Sequence, residues 1–263
     1  MARSTFYYHL KHSIVEDKYK DAKDKISAIF HKHKGRYGYR RVTLELRKEL
    51  PNINHKTVKK LMDELGLKCE VRKVKYRSYK GDVGKTAPNI VDRDFSADRP
   101  YQKVATDVTQ INIGSSKIYL SPILDMFDGE ILTYVISESP NLKMVMDMLN
   151  QLYEKISIPK GMLMHSDQGW HYQHIAYQNS LKKHDIVQSM SRKGNCLDNS
   201  MMENFFGIMK SELLYANKYS SMDQFIKDLK DYMDYYNNDR IKLRLNGMSP
   251  VQYRETYLAS LNV

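Results

Sequence analysis

The sequence predicts a two-part α/β chain: a small all-α region, then a mixed five-stranded sheet with helices on both faces. Three observations predict it. Apolar residues recur at helical spacing between residues 17 and 65, and the period becomes strand-like from Tyr101. Beyond that switch the candidate elements run βββ-α-β-α-β-α, with one more helix behind. Charge is also divided unevenly. Residues 1–90 hold 23 Lys/Arg against 10 Asp/Glu, and residues 91–263 hold 19 against 21, so +13 and −2 make up the net +11.

The helical region comes first. Tyr19, Ala22, Ile26, Ile29 and Phe30 share one helix face within residues 17–34, and Gly35 and Gly38 break the pattern. A second helix fits Tyr39 to Leu50, with Tyr39, Val42, Leu46 and Leu50 on one side and Pro51 as its stop. A third fits His55 to Leu65, with Asn54 as N-cap and Gly66 just past the end. Val58, Leu61, Met62 and Leu65 form its apolar face, and His55, Lys56, Lys59 and Lys60 lie away from it. Two short helices joined by a four-residue turn, the second basic outside, predict a helix-turn-helix over 1–70. Its expected partner is double-stranded DNA, with Lys56, Lys59, Lys60, Arg40 and Arg41 as candidate contacts. A helical bundle with no ligand satisfies the same pattern. Residues 71–99 predict a basic linker. "VRKVKYRSYKG" interleaves Lys/Arg with Tyr76 and Tyr79, which suits a phosphate backbone as well as a merely soluble tether.

The sheet follows over 100–263. "KVATDVTQINI" (Lys103 to Ile113), "KIYLSPILDMF" (Lys117 to Phe127) and "EILTYVIS" (Glu130 to Ser137) read as three successive strands. Leu142, Val145, Leu149, Leu152 and Ile156 mark an amphipathic helix. "GMLMHSD" is a short apolar strand. A helix over about Tyr172 to Lys183, a strand "IVQSMS" and a helix from about Asn199 complete the core. A last helix starts at Ser221, with Gln224 at capping-box spacing. An antiparallel meander extended by two parallel strands through helical crossovers is the ribonuclease H-like arrangement.

Composition narrows the function classes. No run of 18 apolar residues is present, so no membrane span is expected. Two cysteines, Cys69 and Cys196, give neither a disulfide framework nor a C-x-x-C metal pair. With no signal-peptide pattern at the N-terminus, a cytoplasmic protein is expected, associated with the nucleoid when on DNA.

Three carboxylates point to chemistry. Asp107 lies in the middle of the first strand candidate, where aspartate is disfavoured and a buried charge needs a partner. Asp167 ends the fourth strand, where ligands of open α/β sheets gather. Glu203 lies in "CLDNSMMENFFGIMKSEL", where Asn199, Glu203 and Lys210 share a helix face by i+4 and i+7 spacing. Each alone has a plainer reading: a surface aspartate, a turn aspartate, a solvated helix residue. Together they meet at one end of this topology. Three hard oxygen ligands without cysteine suit two Mg²⁺ or Mn²⁺ ions in phosphoryl transfer. His165 and His171 are read as orienting or surface groups and Trp170 as packing. Asp125, Asp128 and Asp198 are rival carboxylates.

At these residues the sequence resembles DDE transposases, the second-frame proteins of IS-three family bacterial insertion sequences. The match is carried by "TDVT", "HSDQGWHY" and "SRKGNCLDNSMMENFFGIMKSEL", with 35 residues between Asp167 and Glu203. "YYNNDRI", "LNGMSPVQYR" and "APNIVDRDF" also fit, so the likeness covers nearly the whole chain. The resemblance implies a retroviral-integrase-like core with Asp107, Asp167 and Glu203 as catalytic metal ligands. It also implies nicking at the element's terminal inverted repeats and transfer of a 3′-hydroxyl to target DNA. A homo-oligomer on DNA and no small-molecule cofactor are expected. Lys210 would face DNA, with Asn199, Arg192 and Lys193 as weaker candidates. In the family, fusion with an upstream frame supplies a further DNA-binding segment, so a longer active product is expected. Two departures stand out: valine at 104 where the family usually has tryptophan nearby, and no His-His-Cys-Cys zinc domain.

Overall fold

The computed structural model describes residues 3–5, 7, 17–69 and 86–261, apart from the Cys196 side chain. The chain divides into two compact units, Met1–Glu70 and Val71–Val263.

In the first unit, helices α1 (Lys20–Lys32), α2 (Tyr39–Leu46) and α3 (His55–Glu64) close on a small core of Ala22, Ile26, Phe30, Val42, Leu46, Val58, Leu61 and Met62. Asn54 caps α3 as its spacing predicts, its Oδ1 accepting from Lys56 N–H at 2.8 Å. Gly66 ends the helix at φ 68°. The α2–α3 connection is longer than the predicted four-residue turn, because α2 ends at Leu46 and residues 47–49 form a turn. Lys56, Lys59, Lys60 and Arg40 are exposed. Arg41 is half-buried, its guanidinium 5.5 Å from the Tyr37 ring centroid.

The second unit is built on one sheet: β1 (Lys103–Thr106), β2 (Thr109–Ile113), β3 (Ser116–Asp125), β4 (Ile131–Ser137), β5 (Leu163–Ser166) and β6 (Val187–Met190). β3 runs antiparallel to β1, β2 and β4, while β1–β5 and β5–β6 are parallel. β1 and β2 lie along the same edge of β3 in one register, so the expected five strands are present with the first broken in two. The break corrects the expectation that Asp107 is mid-strand. Asp107 and Val108 fall between β1 and β2. The register carried across the gap sets Asp107 opposite Pro122, which has no N–H to give a ladder bond. Thr106 Oγ1 instead donates to the Pro122 carbonyl at 2.9 Å.

Helices cover both faces, because successive strand residues point to opposite sides. Ala105, Leu124, Ile131 and Leu163 pack beneath α7 (Ser200–Met209) and α8 (Met222–Asn238), against Phe205, Met209, Phe225 and Leu229. Their neighbours Val104, Ile123, Leu132 and Met164 pack against α4 (Leu142–Lys155) and α6 (Ile175–Lys183). Each fully buried Leu, Ile or Val contributes about 1.5–3 kcal/mol. The single helix predicted over 172–183 is two, α5 (Trp170–Gln173) and α6.

Two features have no clear sign in the sequence. Helix α9 (Pro250–Leu261) is pinned by Arg254, which bonds Asp125 Oδ2, Asp128 Oδ2 and Glu130 Oε2, each at 2.8 Å. Residues 86–99, expected as linker, are anchored on the sheet unit: Val91 is in the core, and Ile90 and Val91 N–H groups donate to Ser189 Oγ at 2.9 and 3.3 Å. The first half of that segment, with Tyr76 and Tyr79, lies outside the described residues.

Candidate active site

The three acids belong to neighbouring elements. β1 and β5 pair in parallel with Ala105 opposite His165, so Asp107 and Asp167 follow at equivalent positions just past the ends of these adjacent strands. Neighbouring strands stand roughly 4.8 Å apart. Helix α7 is tied to the same place: Asn199, just before it, donates from Nδ2 to the Thr106 carbonyl at 3.4 Å. Glu203 lies one helical turn further on.

Asp107 lies within reach of the charges of Asp167 and Glu203. Burial first, then the charge of Asp167 and that of Glu203, push the Asp107 carboxyl well above the usual range; Val108 N–H and Lys210 pull it down. Burial raises Asp167 too, against Gly169 N–H and His171. Val108 N–H donates to Asp107 Oδ1 at 2.7 Å and Gly169 N–H to Asp167 Oδ1 at 2.8 Å. The second oxygen of each has no hydrogen bond from a described residue. A Cβ on Gly169 would sit 2.9 Å from Asp167 Oδ1, so a side chain there would push that carboxylate aside.

The rival carboxylates are used elsewhere. Asp125 and Asp128 are held by Arg254. Asp198 accepts from Arg192, Arg93 and Asn89 at 2.8–3.1 Å, and the Arg192 guanidinium beside it keeps its carboxyl well below the usual range. Arg192, expected at DNA, is therefore engaged at Asp198 and at Asp92 (3.3 Å). Lys193 is exposed, and Asn199 is buried with its Oδ1 unpartnered. Lys210 Nζ donates to Thr109 Oγ1 at 2.8 Å.

The histidines have separate roles. His165 is fully buried, its Nδ1 2.9 Å from Ser189 Oγ and its Nε2 2.9 Å from the Asp198 carbonyl. It thus joins β5, β6 and the turn leading to α7, and burial lowers its pKa. His171 Nε2 donates to the Pro140 carbonyl at 2.7 Å. Trp170, expected in the packing, is 54% exposed and rests on the His171 ring at 4.1 Å. A lone tryptophan is ordinarily well buried, and nothing in the local pattern marks this one as a surface group.

The donor set is three carboxylates with lone pairs to spare on Asp107 and Asp167, which fits a hard divalent cation. As they stand, no three or more His, Cys, Asp or Glu among the described residues come together closely enough to hold a metal ion. No helix among them is long and apolar enough to cross a membrane.

A mixed sheet covered by helices on both faces, with Asp107 and Asp167 just past the ends of two adjacent parallel strands, has the form of an integrase-type core. Comparison with known families agrees: residues 97–196 and 203–258 match the Integrase core domain, and residues 16–75 match an HTH-like domain. The chain is 50% identical to the putative transposase InsK of insertion sequence element IS150 from Escherichia coli K12, over 97% of this chain and 91% of that one. It is 30% identical to the transposase InsF of IS3A from the same organism, over 89% and 82%. The HTLV-2 integrase catalytic core in complex with magnesium aligns with TM-score 0.46 and 16% identity, over 59% of this chain and 97% of that one. The chain belongs to the insertion-sequence transposases of the IS150 and IS3 type.

Proposed function

We propose that Asp107, Asp167 and Glu203 are the catalytic triad of a DDE transposase that cuts the ends of its insertion sequence and joins them to target DNA. One observation carries the reading. Asp107 and Asp167 follow the ends of two adjacent parallel strands at equivalent positions, and the charges of Asp167 and Glu203 both act on Asp107. Asp107, Asp167 and Glu203 would hold two Mg²⁺ or Mn²⁺ ions. Such a pair, when bound, activates the attacking oxygen and stabilises the leaving oxygen of an in-line displacement.

The protein's own groups do the rest. Val108 and Gly169 N–H groups fix one oxygen of each aspartate, so that the other would be available to the metal ions. Lys210 supplies a positive charge beside Asp107 for a DNA phosphate. In the first reaction water cleaves a phosphodiester at a terminal repeat and frees a 3′-hydroxyl. In the second that hydroxyl attacks a target phosphodiester: one P–O bond forms, one breaks, and no covalent protein intermediate is needed. Residues 1–70 would grip the terminal repeats through Lys56, Lys59, Lys60, Arg40 and Arg41, residues 71–99 would connect, and 100–263 would catalyse. Asn199, Arg192 and Lys193 are assigned lesser contacts. Two ends brought together call for a homo-oligomer on DNA, in the cytoplasm.

The test is strand cleavage and transfer on a duplex bearing the element's own end, with magnesium. Asp107→Asn, Asp167→Asn and Glu203→Gln are each expected to abolish product while binding is retained. Wild-type product from Asp107→Asn would overturn the assignment.

A further inference from the structure

Helix α7 does not close as an α-helix. From Lys210 to Leu214 it widens into a π turn, and Tyr215 N–H reaches back five residues to the Lys210 carbonyl at 2.8 Å. π turns are rare and gather at functional sites; the extra residue shifts every later side chain around the axis. Here the turn separates two duties. Lys210 faces the sheet, with Nζ on Thr109 Oγ1 at 2.8 Å and its charge acting on Asp107. Two residues later, Glu212 faces the end of α8.

Glu212 is gripped there by a buried fork. Arg240, 3% exposed, donates from Nη2 to Oε1 at 2.6 Å and from Nε to Oε2 at 2.8 Å. The Tyr232 hydroxyl donates to Oε2 at 3.0 Å. The guanidinium lies 5.7 Å from the Tyr236 ring centroid. A bidentate arginine–carboxylate pair fixes direction as well as distance. A buried ion pair adds little net stability over apolar residues of equal volume, so its value lies in the geometry it imposes.

We infer that Glu212, Arg240 and Tyr232 form a positioning unit that holds the π turn and thereby keeps Lys210 beside the catalytic carboxylates. This rests on the reading of Lys210 as a DNA-facing group of the proposed active site. The unit acts on the substrate through Lys210, so breaking it should cost nothing further once Lys210 is gone.

A double-mutant cycle on the full chain tests this, with strand transfer on an end-bearing duplex and Asp107→Asn as control. Arg240→Lys keeps the charge and removes the fork. It is expected to lower kcat by about tenfold, below the roughly 100-fold that a 1 Å misplacement can cost. KM for DNA should change by less than about twofold. Lys210→Ala should lower transfer at least as much, and the double variant should be no slower than Lys210→Ala alone. Multiplying effects, or a folded Arg240→Lys with wild-type rate, overturn the inference. Should Arg240→Lys fail to fold by circular dichroism, Tyr232→Phe removes one hydrogen bond and runs the same cycle with a smaller drop, and the same two outcomes decide. A wild-type chain with no more product than Asp107→Asn overturns the active-site reading and the inference with it. A wild type that transfers while the cycle multiplies overturns the inference alone.

Discussion

Replacing Asp107 by asparagine is expected to make the metal-free protein more stable while abolishing its chemistry. Burial and the charges of Asp167 and Glu203 oppose ionisation of Asp107, against Val108 N–H and Lys210. Two like charges 4 Å apart repel by about 4 kcal/mol at an effective dielectric near 20. Part of that is avoided by taking up a proton, so removing the charge should return a smaller sum, about 1–3 kcal/mol. Asparagine keeps an Oδ1 for the Val108 N–H that Asp107 accepts at 2.7 Å, so that bond survives. At roughly 2–4 °C per kcal/mol for a chain of this size, the unfolding midpoint in EDTA should rise by about 2–12 °C. Magnesium at about ten times its Kd should then add about 1.4 kcal/mol to the wild type by mass action, and little to the variant. The pH dependence has a definite sign. A carboxyl raised in the folded state contributes most below its ordinary range, near pH 4, and that contribution is lost as pH rises toward the folded value. The gap between variant and wild type should therefore widen from pH 5 to 8. Differential scanning fluorimetry with and without magnesium reads all of this. A variant that melts below wild type in EDTA, or equal magnesium shifts in both proteins, would refute the reasoning.

Three further outcomes are expected. Arg254→Gln leaves Asp125, Asp128 and Glu130 without their shared cation, so it should cost about 3–5 kcal/mol and lower the melting point by roughly 6–20 °C; an unchanged melt would show that α9 is not held by this arginine. Lys56→Ala and Lys59→Ala together should flatten the log–log salt dependence of end binding by about 0.9 for each phosphate they neutralise, and an unaltered slope would remove α3 from the DNA interface. Trp170 is the chain's one tryptophan and is 54% exposed three residues past Asp167. Its emission should be quenched when an end-bearing duplex binds; no change would place the DNA elsewhere.

Much of this protein is legible in its residues because local rules and the global fold agree there. Alternation of Val104 and Ala105, or Leu163 and Met164, assigns each to an opposite face of a sheet covered on both sides. Asn54 and Gly66 bracket α3 in the sequence as they do in space. The acids stand out for their company: Asp107 beside strand residues, Asp167 at a strand tip, Glu203 at a fixed remove. Other features have no local signature. The break at Asp107 depends on Pro122, which only strand pairing brings opposite. The apolar pattern of α9 is weak, because its anchor is one buried arginine whose three acids lie about 125 residues away in sequence.

What the sequence alone determined is periodicity, composition and the presence of three acids at telling positions, since these depend on each residue and its near neighbours. Only the tertiary structure decided which carboxylates are held by arginine, that Asp107 and Asp167 end adjacent parallel strands, and that Lys210 reaches Thr109 while Glu212 meets Arg240. Coulomb energy and desolvation depend on distances between residues far apart in the chain, and those distances exist only once the sheet has formed.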